Sequence, residues 1–463
     1  MRDREVSPVE LVEHHLARIE ALDGRLGAFV TVTAEAALDA ARAAEKQVTD
    51  ATDSSDKGSL PPLLGVPTAI KDLNMTAGVR TTFGSVVFDQ FVAPMDDDVV
   101  RLLREAGTIS LGKTATPEFG LPCYTEPAGR PPTVTPWDTG RLAGGSSGGA
   151  AAATAAGLVP FAQASDGGGS IRIPASVCGL VGLKTSRGRV SRGPIAGDVT
   201  LMSVLGPVAR TVADAAAMLD AIAAPQAGEP FFAPQLPAGE SFAHAVRRSP
   251  GVLRIGRYIT PSVPGAVVEP ECRQAWEEAS ELLDSLGHHV EDVAPAIDES
   301  IVPIFENVWA VAAHSYPVDP DREADLQPLT QWWRARGAAI TGPGFLRAMQ
   351  QLQQVARRAI LAHVGYDLVL TPTVAQPPRP VGWFSDAGDP AADFERQKRF
   401  TPFTAVYNVT GQPALTLPLH WTAEGLPIGV QLVGRPGGEA TLLTVGAQLE
   451  AARPWAHRYF PAI

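Results

Sequence analysis

The sequence is poor in cysteine and in basic side chains, and both shortages exclude classes of protein. Its 463 residues contain 3 cysteines (Cys123, Cys178 and Cys272), whose spacing fits neither a disulfide framework nor a zinc site. We expect three buried thiols in a reducing compartment. Lys and Arg number 38 against 50 Asp and Glu. Nucleic acid is therefore not expected as a partner, because phosphate binding relies on clustered basic side chains.

Long apolar runs are also missing. A membrane span needs about 20 consecutive apolar residues, and the Ala-rich segment 150–158 is far shorter. The charged start, Met1-Arg2-Asp3-Arg4-Glu5, leads into no apolar stretch of the kind found in secretory signals. The sequence thus predicts a soluble, cytoplasmic protein without membrane contact. We identify no metal-binding or cofactor motif.

What the chain does have is a regular alternation of short apolar runs with helical patterns, which predicts an α/β layered core. The apolar runs expected to form strands are Val66–Ile70, Thr108–Leu111, Val159–Ala164, Leu180–Leu183, Leu368–Leu370, Ala414–Leu417 and Ile428–Leu432. Helical patterns near 268–287, 299–315, 325–338 and 343–364 interrupt this alternation. We expect one domain over 1–463, with its core in 60–220 and 365–463 and a helical insertion at about 265–364 that caps the core.

Two glycine-rich turns each present a serine, and Ser170 follows three glycines, Gly167, Gly168 and Gly169. If this segment turns from a strand into a helix near Ile171, the amides of residues 167–170 converge at a helix N-terminus, where an oxyanion is favoured. Ser170 would then be a nucleophile. A glycine-rich anion-binding loop and a simple tight turn remain alternatives at this point.

Ser146, in Gly144-Gly145-Ser146-Ser147-Gly148, has two interpretations. The pattern G-x-S-x-G matches the nucleophile elbow of α/β-hydrolases, which needs a later acid and a His. Asp367, His420 and His457 are candidates, although none lies in a distinctive sequence context. In the second interpretation Ser146 relays a proton between a lysine and Ser170, on a backbone that the flanking glycines allow to bend.

Lys71 ends an apolar run and is followed by Asp72. Free lysine has a pKa near 10.4 and is useless as a base at neutral pH, but burial in an apolar pocket lowers that pKa. A neutral Lys71 could then accept a proton. The alternatives are an exposed lysine at the end of a strand or an ion pair with Asp72.

Taken together, these motifs resemble the amidase signature hydrolases over nearly the whole chain. Lys71 lies in G-V-P-x-x-x-K-D, Ser146 is the first serine of G-G-S-S-G-G, and Ser170 lies in D-x-G-G-S-I-R-I-P. Further matching segments are Thr81-Thr82-Phe83-Gly84-Ser85, Cys178-Gly179-Leu180-Val181-Gly182-Leu183-Lys184, Thr410-Gly411-Gln412-Pro413-Ala414 and Gly425-Leu426-Pro427-Ile428-Gly429. The chain departs from the usual pattern at Ala115, Gly167 and Thr185. None of these three departures affects Lys71, Ser146 or Ser170.

The resemblance implies a mixed central sheet with helices on both faces and a cap formed by the insertion. It also implies that Ser170 is the nucleophile, Ser146 the bridging serine after a cis Gly145–Ser146 peptide, and Lys71 the base. The backbone amides of Gly167, Gly168, Gly169 and Ser170 would form the oxyanion hole. Ser147, Asp166 and Arg172 are expected to support this network, and no metal or cofactor is implied.

The substrate follows less directly from the sequence. Substrate contacts are expected from Cys123, Tyr124, Thr125, Gly145, Phe403 and Tyr407, together with Trp309, Trp332, Trp333 and Asn408. The alternative is that these aromatic side chains belong to the core. An aromatic pocket would favour a bulky or aryl amide, an anilide or a carbamate, with esterase side activity. The stretch Cys123-Tyr124-Thr125-Glu126-Pro127 and the C-terminal motifs most resemble the branch with 6-aminohexanoate cyclic dimer hydrolase. Aryl acylamidases and urethanases belong to the same wider family.

The rival in another class is the A-type subunit of a tRNA-dependent amidotransferase, a glutaminase that releases ammonia for a partner protein. Dependence on that partner would distinguish it from a hydrolase that acts alone. A homodimer is common in the family, and we keep it as an expectation for this chain.

Overall fold

The computed structural model describes residues 1, 5–51, 58–195, 198–458 and 460. Within these residues the strands lie in an 11-stranded sheet and a separate two-stranded ribbon. The strands of the large sheet are β1 (Phe29–Val32), β2 (Pro67–Lys71), β3 (Ile109–Thr114), β6 (Phe161–Asp166), β7 (Val181–Lys184), β8 (Val204–Ala209), β9 (Arg254–Arg257), β10 (His289–Asp292), β11 (Leu368–Pro372), β12 (Ala414–Trp421) and β13 (Pro427–Gly434). The ribbon pairs β4 (Val134–Thr135) with β5 (Asp138–Leu142).

The large sheet is mixed, as the family resemblance implies. Its order is β1-β3-β2-β6-β8-β7-β12-β13-β11-β9-β10. The strand pairs β3–β2, β2–β6, β11–β9 and β9–β10 are parallel, and the remaining neighbours are antiparallel. Most strands are buried along their whole length, which is why they read as continuous apolar runs instead of alternating patterns.

Helices pack around this sheet. Their bounds are α1 (Pro8–Leu26), α2 (Ala34–Asp50), α3 (Asp98–Glu105), α4 (Gly148–Ala155), α5 (Arg172–Cys178), α6 (Val212–Ile222), α7 (Phe242–Ala245), α8 (Pro270–Ser285), α9 (Ile301–His314), α10 (Pro328–Ala338), α11 (Gly342–Ala362), α12 (Pro390–Phe400), α13 (Ala405–Thr410) and α14 (Glu439–Ala452). In the described residues no helix is both long enough and apolar enough to cross a bilayer.

The predicted limits of the core and the insertion need correction. Strand β1 pairs with β3, so the sheet already begins before residue 60. Strand β10 falls inside the span 265–364 that we expected to be helical, yet it pairs in parallel with β9 at the sheet edge. Its sequence, His289-Val290-Glu291-Asp292, is too polar to resemble the buried strands, because an edge strand is largely exposed.

The sheet brings the two chemistry-bearing segments to one edge. Strands β2 and β6 are parallel neighbours, and Ile70 is in register with Gln163. Since parallel strands end at the same edge, Lys71 at the end of β2 and Asp166 at the end of β6 lie side by side. Helix α4 packs closely against the end of β3. A Cβ on Gly149 would come within 2.2 Å of the Ala115 nitrogen, so this contact requires glycine.

Candidate active site

Lys71 is the last residue of β2 and is fully buried. Its Nζ donates to Ser146 Oγ at 2.7 Å and to Ser165 Oγ at 2.9 Å. Its backbone N–H donates to the side-chain carbonyl of Gln163 at 3.0 Å, which fixes the end of the strand. The amine therefore contacts two neutral hydroxyl groups, from two different segments.

This environment changes the acidity of the amine. Burial holds the pKa of Lys71 well below its usual value of 10.5, Asp166 opposes the shift and Arg192 adds to it. Of the two alternatives for Lys71, exposure is excluded by its burial. An ion pair with Asp72 is not formed either, since the carboxylate of Asp72 lies 3.4 Å from Lys113 Nζ and accepts from Thr82.

Ser146 follows a cis peptide bond, Gly145–Ser146, as the resemblance implies. Its neighbours leave little room: a Cβ on Gly145 would meet the Tyr124 backbone at 2.7 Å, and one on Gly120 would come within 3.2 Å of Ser146 Oγ. The α/β-hydrolase interpretation finds no support here, because the side-chain partner of Ser146 is a lysine. His420 instead pairs with Glu278, away from this segment.

Ser147 links the two glycine-rich turns. Its Oγ donates to the Ser165 carbonyl at 3.1 Å, and its backbone N–H donates to the Ser170 carbonyl at 3.2 Å. These bonds hold the Ser146 segment against the Ser170 loop. In the described residues, however, no direct hydrogen bond joins Ser146 Oγ to Ser170 Oγ. Such contacts are often long without substrate and tighten in the substrate complex.

The loop before Ser170 runs from β6 into α5, close to the predicted helix start near Ile171. One predicted oxyanion donor needs correction, because the amide of Gly169 donates to Asp166 Oδ1 at 2.8 Å. The amides of Gly167, Gly168 and Ser170 are left for that purpose. The loop is also held from outside, since Thr404 Oγ1 donates to the Gly168 carbonyl at 2.6 Å.

Asp166 and Arg172 form the buried anchor of this loop. The guanidinium donates twice to the carboxylate, Nε to Oδ2 at 2.9 Å and Nη2 to Oδ1 at 2.8 Å. Burial acts to raise the pKa of Asp166, but Arg172, with help from Lys184 and Asn408, holds it far below its usual value. Asn408 joins both side chains, donating to Asp166 Oδ1 at 2.8 Å and accepting from Arg172. These bonds position the loop without exposing any of the three side chains.

Ser170 opens onto a cavity that encloses about 780 Å³ of non-atom space when its open mouth is included. Most of the wall is apolar, and its rings are Phe305 and Trp309 of α9 and Phe394 of α12. Trp309 reaches the glycine loop, because a Cβ on Gly167 would lie 3.5 Å from its ring. The charged residues of the wall are Glu306 and Lys398, which form an ion pair at 2.8 Å.

Of the six predicted substrate contacts, Cys123 alone lines this cavity. The other five are engaged elsewhere, which corrects the prediction. The Tyr124 hydroxyl donates to Asp393 and its ring stacks on Phe384. Thr125 donates to the Gly144 carbonyl, and Gly145 packs on the Tyr124 backbone. Phe403 and Tyr407 are core residues, and the Tyr407 hydroxyl is bonded to Tyr258.

The predicted tryptophans divide in the same way. Trp309 lines the cavity, whereas Trp332 and Trp333 pack edge-on against each other and around Phe394. They support the cavity wall from behind. A pocket predicted from aromatic composition alone cannot separate these two roles, because a ring in the wall and a ring behind it have the same residue type.

Sequence reasoning missed several residues of this site. Ser165 lies one residue before Asp166 beside the same motif, but a role was predicted from the sequence only for Asp166 and the residues after it. Phe305, Glu306 and Lys398 lie in amphipathic helices whose orientation the sequence does not give. A signal was available for Ser165 alone, as a further hydroxyl beside the second glycine-rich turn.

Comparison with known proteins gives consistent matches along the chain. The Amidase family model matches residues 10–443. The 6-aminohexanoate-cyclic-dimer hydrolase of Paenarthrobacter ureafaciens is 35% identical over 481 residues, which cover 99% of this chain and 94% of that protein. A solved structure of 6-aminohexanoate cyclic dimer hydrolase has a TM-score of 0.90 at 34% identity, covering 99% of this chain and 96% of that chain.

A second kind of relative is similar to almost the same extent. The A-type subunit of the glutamyl-tRNA(Gln) amidotransferase from Synechococcus sp. (strain CC9311) is 36% identical over 474 residues, which cover 96% of this chain and 94% of that protein. Identity alone therefore does not separate the two kinds of relative, and the walls of the cavity carry the distinction.

Proposed function

The chain belongs to the amidase signature family, and on that premise we propose that it is a serine hydrolase that cleaves bulky apolar amides, including aryl amides, anilides and carbamates. The observation that carries the proposal is the fully buried Lys71, whose amine bonds to two serine hydroxyls beside a cavity that opens on Ser170. A lysine whose pKa is lowered by burial is suited to act as a base, and a serine that lines the cavity is suited to act as the nucleophile.

In the proposed mechanism Ser170 Oγ attacks the substrate carbonyl carbon. Its proton passes to Ser146 Oγ while the Ser146 proton passes to the neutral Nζ of Lys71, which is 2.7 Å away. The amine keeps its bond to Ser165 during this transfer. Negative charge develops on the carbonyl oxygen, and the amides of Gly167, Gly168 and Ser170 would bind it. Each such donor typically lowers the activation barrier by about 3 kcal/mol.

The tetrahedral intermediate then collapses. Lys71 returns the proton through Ser146 to the leaving nitrogen, the C–N bond breaks, and an ester to Ser170 remains. Water attacks this ester with the same base, which releases the acid and restores the free serine. The Asp166–Arg172 pair takes no part in proton transfer, because Asp166 stays ionised and both side chains are held by other bonds.

The substrate class follows from the cavity. Its wall carries the rings of Phe305, Trp309 and Phe394 and aliphatic side chains from four other segments. Burial of apolar surface against such a wall favours substrates with aryl or alkyl groups, at about 25 cal/mol per Å² of area removed from water. Esters pass through the same chemistry, so esterase side activity is part of the proposal.

The rival function is that of an amidotransferase A-type subunit, which the 36% identical relative keeps open. Free glutamine carries an ammonium and a carboxylate on one carbon, and both groups need partners when they are buried. Among the described residues, the cation and the carboxylate that line this cavity are already paired with each other at 2.8 Å. We therefore favour a hydrolase that acts without a partner protein. Its cytoplasmic location and homodimeric state are further predictions.

The test combines covalent labelling with turnover. The purified chain is treated with an aryl fluorophosphonate and mapped by mass spectrometry, then assayed on a hexanoyl anilide, the matching carbamate and glutamine. We expect an adduct on Ser170 and release of aniline without any partner. Ser170→Ala is expected to lower the rate of anilide hydrolysis by at least about 10³-fold. The exposed Ser249→Ala serves as a matched control with unchanged activity.

Three outcomes would contradict the proposal. An adduct on Ser146 that survives Ser170→Ala would make Ser146 the nucleophile. Ammonia release from glutamine only in the presence of a partner protein would favour the amidotransferase. Absence of both adduct and turnover would indicate a binding protein that retains the fold of the family.

A further inference from the structure

The ion pair in the wall of the cavity lies on two different elements. Glu306 belongs to α9 and Lys398 to α12, and each side chain is about one-sixth exposed, 16% and 15%. Both line the same cavity as Ser170. Charged residues are uncommon in a mostly apolar wall, and they limit which chemical groups a ligand can place beside them.

The pair is part of an alternating network. Glu306 Oε2 accepts from Arg336 of α10 at 3.1 Å, while Lys398 Nζ also contacts Glu395 Oε1 at 2.5 Å. Two cations thus alternate with two carboxylates. Arg336 and Glu395 reach solvent, with 43% and 50% of their side chains exposed, whereas the two central members face the cavity.

One hydrogen-bond donor of Lys398 in this network remains available to a ligand. Both carboxylate oxygens of Glu306 are engaged by cations. Lys398 has three N–H donors, and among the described residues two of them are directed at carboxylates. The ring of Phe394, another wall residue, lies 5.2 Å from the ammonium. What the network offers to a ligand is therefore one N–H donor, beside an aromatic ring.

The charge around that donor selects the acceptor. Lys398 Nζ already lies against two carboxylates, so a carboxylate on the substrate would bring a third negative charge to the same ammonium. A neutral carbonyl oxygen accepts the same hydrogen bond without that repulsion. Rejection by like charge is an established source of specificity.

We propose that Lys398 is a specificity-determining residue that donates its remaining N–H to a neutral carbonyl oxygen in the non-reacting part of the substrate. The preferred substrates are then apolar amides with a second, uncharged carbonyl group, such as a ketone, ester or further amide. Glu306 and Glu395 hold the ammonium in place and disfavour acidic substrates. The assignment rests on the proposed function for its catalytic readout, but ligand binding tests it separately.

The experiment uses three secondary amides with equal chain length and the same tail on both sides of the scissile bond. The tails are hexyl, 5-oxohexyl and a terminal carboxylate, so that whichever arm enters the cavity carries the test group. Dissociation constants are measured by calorimetry on Ser170→Ala, alone and combined with Lys398→Met or Lys398→Arg. The same substitutions are made in the otherwise unchanged chain for kcat/KM, with the exposed Lys46→Met as the matched control.

We expect the diketone amide to bind about tenfold more tightly than the dihexyl amide, as a hydrogen bond from a charged donor allows, and the dicarboxylate more weakly than both. Lys398→Met should remove the advantage of the diketone while changing the dihexyl amide less than about threefold, and Lys398→Arg should restore part of it. Lys46→Met should change none of the three affinities.

Equal weakening of all three ligands by Lys398→Met would overturn the proposal, since it would show a structural effect. A preference for the dicarboxylate would overturn it as well. If the binding preferences hold while no amide is hydrolysed, the specificity assignment stands and the proposed function fails. If all three amides are hydrolysed with no preference among them, the proposed function stands and the specificity assignment fails.

Discussion

Lys71 and Lys113 are buried on the adjacent parallel strands β2 and β3, but of the two only Lys113 lies within ion-pair distance of a carboxylate among the described residues. Lys71 ends β2, and Lys113 lies in β3 opposite Ile70. Both are fully buried. Lys71 contacts two serine hydroxyls. Lys113 donates to the Asn74 carbonyl at 2.6 Å and to Thr81 at 2.8 Å, and the Asp72 carboxylate lies 3.4 Å away.

The carboxylate makes the difference. Burial lowers the pKa of both amines, but at Lys113 the nearby Asp72 carboxylate opposes the shift, and Asp97 adds a smaller Coulombic effect. At Lys71 the opposing carboxylate is Asp166, which is itself bonded to Arg172. Lys113 is therefore suited to neutralise the buried charge of Asp72, whereas Lys71 is suited to accept and return a proton. Burial alone does not make a lysine a base.

The largest effect that separates the two lysines is on catalysis. Lys71→Met should lower kcat/KM for an anilide by about 10³-fold or more, because the proton of Ser146 then has no acceptor. Turnover of a hexanoyl anilide measures it. The melting temperature should not fall, since the folded chain no longer has to bury an amine whose charged form is disfavoured in the core. A fully active Lys71→Met enzyme would show that Lys71 is not the catalytic base.

The corresponding change at the other lysine should act on stability. Lys113→Met leaves Asp72 buried without its cation, which typically costs about 3–5 kcal/mol. Urea unfolding followed by circular dichroism measures the loss. Activity per folded molecule should stay within about threefold of the original chain. If both variants instead lose activity and keep stability, the two lysines have the same role.

The pH dependence of catalysis gives a sharper criterion. Because the pKa of Lys71 is lowered, the amine is protonated only below that lowered value, and the protonated form cannot accept a proton. With chemistry limiting, kcat/KM should fall about tenfold per pH unit below that pKa and level off before pH reaches the usual lysine value of 10.5. Lys113→Arg should leave this profile in place. A profile that still rises steeply at pH 10.5 would contradict the lowered pKa.

The smallest effects concern the hydroxyl partners. Ser165→Ala removes one bond to Lys71 and should lower kcat/KM about tenfold, since the amine is then less well positioned. Thr81→Val is the matched change at Lys113 and should cost about 1 kcal/mol of stability with little change in rate. Rate and urea midpoint are measured for both. Equal rate losses in the two variants would show that neither hydroxyl acts through its lysine.

Much of the fold was accessible from the sequence because buried strands leave a simple signal. Apolar runs around residues 66–70, 159–164 and 180–183 each lie on a strand of the sheet. The edge strands β1 and β10 were not predicted, since each is only four residues long and β10 is also polar and mostly exposed. Strand order is a further limit, since neighbours such as β6 and β8 are distant in the chain.

The site divides in the same way. Glycine-rich turns show themselves, because only glycine fits where a Cβ would clash, as at Gly145 and Gly149. The cavity is not visible in the sequence, because much of its wall comes from helices α9, α12 and α13, and which of their sides face it depends on how they pack. The sequence predicts substrate contacts for Tyr124 and Tyr407, yet their hydroxyls bond to Asp393 and Tyr258 in the interior.

The segments that carry Lys71, Ser146 and Ser170 could be recognised without a structure, because they depend on local backbone and residue type, and the family resemblance that they carry implied the mixed sheet. The tertiary structure decided which buried lysine meets a carboxylate and which meets hydroxyls, which amide of the glycine loop is already bonded, and which rings face the cavity. These outcomes depend on distances between segments far apart in the chain, and the free energy of a buried charge changes by several kcal/mol over a few ångströms.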